Sequence, residues 1–206
     1  MIAIIDYDAG NLISVKRALD YLQIPSTITS DSGGIASATH IIFPGVGHAT
    51  AAMNVLTARG LDKTLQSEFA KGKPILGICL GTQIILSHSQ EGDTRCLGLI
   101  EGHCPRFKLE EPDLKIPHMG WNSVERIKEH PVFDGISPQS EFYFVHSYYP
   151  KPDDSTKIFG LCNYKIDFPA IVGENNLIAT QFHPEKSGVV GLKVLENFSK
   201  WDGSLC

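Results

Sequence analysis

Gly77-Ile78-Cys79-Leu80-Gly81 sets a thiol between two glycines. An apolar run over residues 74–78 leads into it, and a helical pattern begins near Thr82. Strand, sharp turn and helix form the setting of a nucleophile elbow, G-x-S-x-G, here with Cys in place of Ser. Such a turn strains the backbone of the nucleophile, and side chains two residues to either side would collide across it. The helix that follows aims its first amides at the sulfur and favours a thiolate. The amide of Leu80 is then placed to donate to an oxyanion. Taken alone, the segment is equally compatible with a buried structural cysteine.

A thiol nucleophile needs a base, and the base needs a third group to hold its tautomer. Of the eight histidines, His183 in Gln181-Phe182-His183-Pro184-Glu185-Lys186 fits best. In an extended chain His183 and Glu185 share a side, so the carboxylate can accept from one ring nitrogen while the other faces Cys79. Pro184 cannot continue a sheet ladder, which places the pair at a strand end, where sites are built. A surface His-Pro-Glu turn is the competing reading of this segment. His40 reads as partly buried structure, and His88, His103 and His130 as solvated. His48, His118 and His146 adjoin Gly- or aromatic-rich segments and remain candidates. No pair has H-x₃-H spacing, so no metal is expected.

These residues must be positioned by something. Up to about residue 90, strand and helix patterns alternate. Strands are expected at 2–6, 26–28, 40–43 (stopped by Pro44-Gly45) and 74–78. A helical spacing runs through Leu12, Val15, Ala18, Leu19 and Leu22, and helices are expected at 49–59 and 61–71. Strands separated by helices imply a parallel sheet covered on both faces. After residue 100 the segments shorten and gain aromatics. Strands are expected at 142–148, 157–163, 170–172 and 177–182, with a hairpin tip at Glu174-Asn175-Asn176. An amphipathic helix over 188–200 closes the chain. The fold class expected is α/β, a mixed, mainly parallel sheet flanked by helices with an antiparallel C-terminal portion, and the 206 residues read as one domain.

Composition excludes several roles. With 18 basic and 23 acidic residues the net charge is −5, a poor match to nucleic acid. No apolar run approaches the ~18 residues of a membrane span. The first residues lack the basic start of a signal peptide. The five cysteines, at 79, 96, 104, 162 and 206, show no CxxC pairing, which argues against disulfides and zinc and points to the cytoplasm.

Gly77-Ile78-Cys79-Leu80-Gly81-Thr82-Gln83 and Gln181-Phe182-His183-Pro184-Glu185-Lys186-Ser187 resemble the two signatures of class I (triad) glutamine amidotransferases. Pro44-Gly45-Val46-Gly47-His48, Pro117-His118-Met119-Gly120-Trp121-Asn122 and Tyr143-Phe144-Val145-His146-Ser147-Tyr148 are similar to motifs of the glutaminase subunits of imidazole glycerol phosphate synthase. The likeness runs through nearly the whole chain in order. Thr82 departs from the usual Met, which bears on packing behind the elbow. Tyr7-Asp8-Ala9-Gly10-Asn11 departs from the usual Gly-rich first loop, at the subunit interface.

The resemblance implies a flavodoxin-like three-layer fold and a Cys79–His183–Glu185 triad that hydrolyses glutamine through a thioester, with no cofactor. Val46 and Leu80 amides would form the oxyanion hole, with residues 44–47 as the element that changes on activation. Gly47, Gln83, Ser147 and Tyr148 would hold the substrate. Pro117, His118, Met119, Trp121, Asn122 and Lys186 would face a separate (β/α)₈ cyclase subunit that receives ammonia through a sealed passage and makes imidazole glycerol phosphate and AICAR in histidine biosynthesis. The residues also allow a stand-alone thiol hydrolase, a paralogous amidotransferase feeding another acceptor such as a surface sugar, or a non-catalytic binding subunit.

Overall fold

The computed structural model describes residues 1–108 and 115–204. The chain opens with β1 (Ile2–Ile5), α1 (Leu12–Tyr21), β2 (Ser26–Thr29), α2 (Ser32–Ser37) and β3 (His40–Gly45). Next come α3 (Ala49–Ala58), α4 (Leu61–Ala70), β4 (Ile75–Cys79) and α5 (Leu80–Ile84). Three short strands follow, β5 (His88–Ser89), β6 (Thr94–Arg95) and β7 (Gly102–Cys104), then β8 (His118–Ser123), β9 (Glu125–Arg126), β10 (Glu141–His146) and β11 (Lys151–Pro152). The chain finishes with β12 (Ile158–Tyr164), β13 (Ile166–Glu174), β14 (Leu177–Thr180) and α6 (Gly188–Lys200).

The main sheet has the order β2-β1-β3-β4-β14-β13-β12-β9. From β2 to β14 all neighbours are parallel; β13, β12 and β9 continue antiparallel. This is the mixed, mainly parallel sheet expected. Alternation along each strand sends side chains to opposite faces. Ile4, Ile42, Leu76 and Ile178 join one buried cluster with Val15 and Leu19 of α1 and Leu195 and Phe198 of α6. Ile5, Ile41, Ile75 and Leu177 join the other, under Leu56 of α3 and Leu65 of α4. Both faces are covered, which is why these strands read as continuous apolar runs.

One crossing matters most for function. β14 returns from the antiparallel portion to lie parallel beside β4, with Leu177 opposite Ile75 and Thr180 opposite Ile78. The ends of the two strands therefore leave the sheet side by side, one into Cys79 and the other toward His183.

Several expectations are corrected. Pro44-Gly45 does not stop β3; the strand continues through both, opposite Ile78 and Cys79. Its pairing with β1 ends at Ile42, so Pro44 lies at a local edge, where a proline is tolerated. The helix after the elbow starts at Leu80, not near Thr82. His130 is not solvated: it is buried against Trp201 and Phe159. The tip at Asn175 holds, with φ 52° and Glu174 opposite Leu177. A tighter tip at Lys165 (φ 64°) joins β12 to β13, and nothing about a lysine announces a left-handed turn.

Candidate active site

Cys79 ends β4 and caps α5 with φ 54° and ψ −105°, a strained backbone for a residue with a Cβ. The flanking glycines are required, but only partly for the reason the sequence suggests. A Cβ on Gly77 would come within 2.9 Å of the Ala179 Cβ on β14 and 3.4 Å of the Thr82 amide across the turn. One on Gly81 would lie 1.9 Å from the Phe43 carbonyl oxygen of β3. The neighbouring strands, more than the turn itself, forbid side chains here. Thr82 is buried, and its hydroxyl donates to the Thr180 carbonyl at 2.6 Å, tying the elbow to β14.

His183 follows β14 and is fixed through its backbone. Its amide donates to the Tyr143 carbonyl at 2.9 Å, and its carbonyl accepts from the Ser187 hydroxyl at 2.6 Å. Glu185 does not reach the ring through an extended chain as the spacing suggests; Pro184–Lys186 is a 3-10 turn. That turn brings Glu185 Oε1 to 2.8 Å from His183 Nδ1, with both side chains almost wholly buried. An ionised carboxylate only accepts, so Nδ1 keeps a proton and Nε2 is the nitrogen left to exchange one. Nε2 makes no well-aligned hydrogen bond, yet the sulfur is near enough to govern the ring's charge. Burial disfavours the imidazolium, but Cys79 and Glu185 outweigh it and raise His183 from 6.5 to about 10. Gln181, one turn of chain earlier, donates from Nε2 toward the sulfur at 3.7 Å.

The sulfur opens onto a cavity of about 270 Å³. Val46, Gly47, Leu80, Gln83, Ser147 and Tyr148 all line it, which gathers the expected oxyanion and substrate residues around Cys79. Val46, Gly47 and Leu80 also line a second cavity of about 210 Å³. Gly47 has φ +118°, a conformation L side chains rarely adopt. Among the described residues Glu91 is the one acidic residue lining the first cavity; its Oε2 accepts from the Ala49 amide at 2.7 Å. It sits in a Gln-Glu-Gly-Asp turn and carries no sequence signal of a role.

His146 and His118 oppose each other on β10 and β8. His146 Nδ1 donates to the Tyr148 carbonyl at 2.7 Å, His118 Nδ1 donates to His146 Nε2 at 3.0 Å, and Asn122 Nδ2 donates to His118 Nε2 at 3.3 Å. The acceptor at one end fixes every tautomer along the row. Burial lowers His118 to about 4 and His146 to about 3, so both rings are neutral. His118 is thus corrected as an interface residue: it stacks on Tyr164 and Phe144 in the interior. Asn122 is turned partly inward, donating also to the Asn163 carbonyl at 2.9 Å, and Pro117 lines the cavity. Met119 and Trp121, on the opposite face of β8, are 63% and 55% exposed. Trp121 packs edge-on to Tyr143, over which Lys186 lies at 5.9 Å.

Cys96 and Cys162 are buried and pushed up to about 12, and burial also holds Cys104 well above its ordinary value. Cys79, Cys96, Cys104 and Cys162 are all free thiols; Cys206 lies outside the described residues. Among the described residues no group of three His, Cys, Asp or Glu is placed to hold a metal, and no helix is long and apolar enough to cross a membrane.

A thiol on an elbow, a buried imidazole held by a carboxylate and a small cavity beside the thiol form the arrangement that nucleophilic acyl transfer uses. The sequence pattern of the class-I glutamine amidotransferases matches residues 3–200, and the chain belongs to that family. It is 52% identical over 203 residues to "Imidazole glycerol phosphate synthase subunit HisH" of Nitratidesulfovibrio vulgaris (strain DSM 19637 / Miyazaki F), covering 96% of this chain and 95% of that protein. The protein of the same name from Thiobacillus denitrificans (strain ATCC 25259 / T1) is 43% identical, covering 98% and 91%. Among solved structures, a glutamine amidotransferase crystal structure superposes with a TM-score of 0.76 at 16% identity, covering 97% of this chain and 98% of that one. That likeness speaks for the fold.

Proposed function

We propose that this chain is the glutaminase subunit of an imidazole glycerol phosphate synthase, acting as one domain in the cytoplasm on glutamine and passing ammonia to a (β/α)₈ cyclase partner. The observation that carries the reading is the buried His183–Glu185 pair, with the His183 ring close enough to be charged by Cys79, whose sulfur opens onto a small cavity. The full-length likeness to HisH proteins supports the choice of acceptor.

In this reading Cys79 Sγ attacks the side-chain carboxamide carbon of glutamine. The proton that the thiol has given up to His183 Nε2 passes from the charged ring to the departing nitrogen, so ammonia leaves and a γ-glutamyl thioester remains. Water then attacks, His183 takes its proton and returns it to the sulfur, and glutamate departs. Glu185 keeps Nδ1 protonated throughout. The amides of Leu80 and Val46 receive the oxyanion, and a lost donor of this kind typically costs ~10²–10³ in rate. Gln83 and the main chain at Gly47, Ser147 and Tyr148 hold the amino-acid end. The Glu91 carboxylate meets the α-ammonium, because the Tyr148 carbonyl already accepts from His146 at 2.7 Å and Gln83 at 3.1 Å.

The peptide of Val46, between two glycines, is the switch, so the isolated chain should hydrolyse glutamine only weakly. Full turnover without a partner, assayed as glutamate release, would count against that switch. Pull-down from native extract should recover a cyclase subunit, and the pair should form imidazole glycerol phosphate and AICAR from glutamine. Cleavage of γ-glutamyl peptides by the lone chain would instead mark a stand-alone hydrolase.

Trp121, Met119 and Lys186 supply the face the partner covers. Trp121→Ala should weaken partner binding by about 30-fold or more, in the range of an aromatic hot spot. The exposed ring contributes little to folding, so the melting temperature should stay put. Unchanged affinity by calorimetric titration would move the interface elsewhere.

A further inference from the structure

Asn11 is the residue of the first loop that is hydrogen-bonded to the triad. Its Nδ2 donates to Glu185 Oε1, the same oxygen that accepts from His183 Nδ1 at 2.8 Å. The Glu185 side chain is fully buried and its other oxygen has no partner. Among the described residues, then, the carboxylate takes its only two donors on one atom, and Asn11 is the one that is not its catalytic neighbour. Asn11 stands at the start of α1 with φ 76°, and its side chain makes no capping bond to that helix. A start-of-helix asparagine ordinarily uses its side-chain oxygen on the helix amides; this one reaches across 174 positions of sequence instead. The left-handed backbone, which asparagine tolerates better than most residues, is what aims it there.

The same loop backs the opposite side of the site. A Cβ on Gly10 would lie 3.2 Å from Val46 Cγ2, and one on Gly45 would lie 2.0 Å from the Tyr7 hydroxyl, itself buried without a partner. Residues 7–11 therefore lie against both the Glu185 end of the triad and the segment Gly45-Val46 where β3 ends.

We infer that Asn11 is a positioning residue for the triad: its amide anchors Glu185 Oε1 so that the carboxylate stays on His183 Nδ1–H and the ring keeps Nε2 toward Cys79. The inference rests on the proposed roles of those three side chains. Physically, a buried carboxylate with two donors on one oxygen is held against rotation, and donation from a neutral amide stabilises its charge. Without the amide, rotation of the carboxylate unseats the ring and weakens the support that Glu185 lends to the imidazolium.

Asn11→Gly deletes the amide and leaves the left-handed backbone unstrained, so the chain should fold with a wild-type melting temperature. Asn11→Asp keeps the shape and replaces the donor with an acceptor. Both should lower kcat for glutamine hydrolysis by the partner-bound protein about 10- to 100-fold, the cost of one hydrogen bond to a charged group. KM should change less than about twofold, since the substrate end is untouched. In Asn11→Gly the NMR titration of the His183 ring should also move to lower pH. Unchanged kcat and an unchanged His183 titration would overturn the inference. So would a loss confined to KM or to melting temperature with the titration in place, which is what a purely structural loop residue would give. Failure of the glutaminase reading looks different: the wild type itself would release no glutamate, while the ring titration would still report on Asn11.

Discussion

Cys79→Ala should fold normally and lose glutamine hydrolysis by about 10⁴-fold or more in the partner complex, the scale on which a lone nucleophile acts. The side chain is small and sits at the cavity floor, so its removal leaves no large void. The same substitution has a second, independent readout. His183 is raised to about 10 against the penalty of burial by two groups, Cys79 and Glu185. Between its ordinary 6.5 and that value the folded ring is charged and an unfolded one is not, so the stability it lends is complete below 6.5 and vanishes as pH climbs through about 10. With the sulfur gone, Glu185 alone opposes burial, and the alkaline titration of the ring should fall well below 10. Nitrogen NMR of the imidazole checks this. A ring that still titrates near 10 in Cys79→Ala, or an alanine variant with full activity, would mean that the sulfur is neither partner nor nucleophile.

Gly81→Ala carries the largest structural effect. The added methyl would sit 1.9 Å from the carbonyl oxygen of Phe43 and 3.0 Å from its carbonyl carbon. These are backbone atoms of β3, paired with β1 through Ile42 and with β4 beyond it, and cannot swing aside as a side-chain tip can. A loss of about 3 kcal/mol or more is expected, toward the severe end for overpacking. For a chain of this size that lowers the melting temperature by roughly 6–12 °C. Hydrolysis should fall as well, because any relief moves α5 and the Leu80 amide. Gly47→Ala is the control: its φ of +118° is strained for alanine, but nothing lies within 4 Å of the new methyl. Equal stability losses in the two variants would refute the clash at Phe43 as the cause.

The residues of the candidate site were more legible than the scaffold that positions them. The elbow and the His-x-Glu step are local, so their residue types survive in a one-dimensional reading. The parallel core strands were legible because burial on both faces leaves unbroken apolar runs. What escaped is non-local or too short to have a period. Each of β5, β6 and β7 has two or three residues. β8 hid in Pro-His-Met-Gly-Trp-Asn because its buried face holds histidine in place of aliphatic residues, and its pairing with β10 spans a long stretch of chain. Spacing put Glu185 beside His183 correctly but by the wrong route, since a 3-10 turn, not a pleat, makes the contact. Glu91 and Asn11 lie in polar turns whose only distinction is where the fold delivers them.

The row from Asn122 through His118 and His146 to the Tyr148 carbonyl has a direction, every donor pointing the same way. Reversing one ring would force all its companions to turn at once, and neither ring picks up charge near neutral pH. One wall of the cavity beside Cys79 is thereby locked in place and deaf to acidity. Freedom to move is left to the facing wall, where two glycines bracket a single valine.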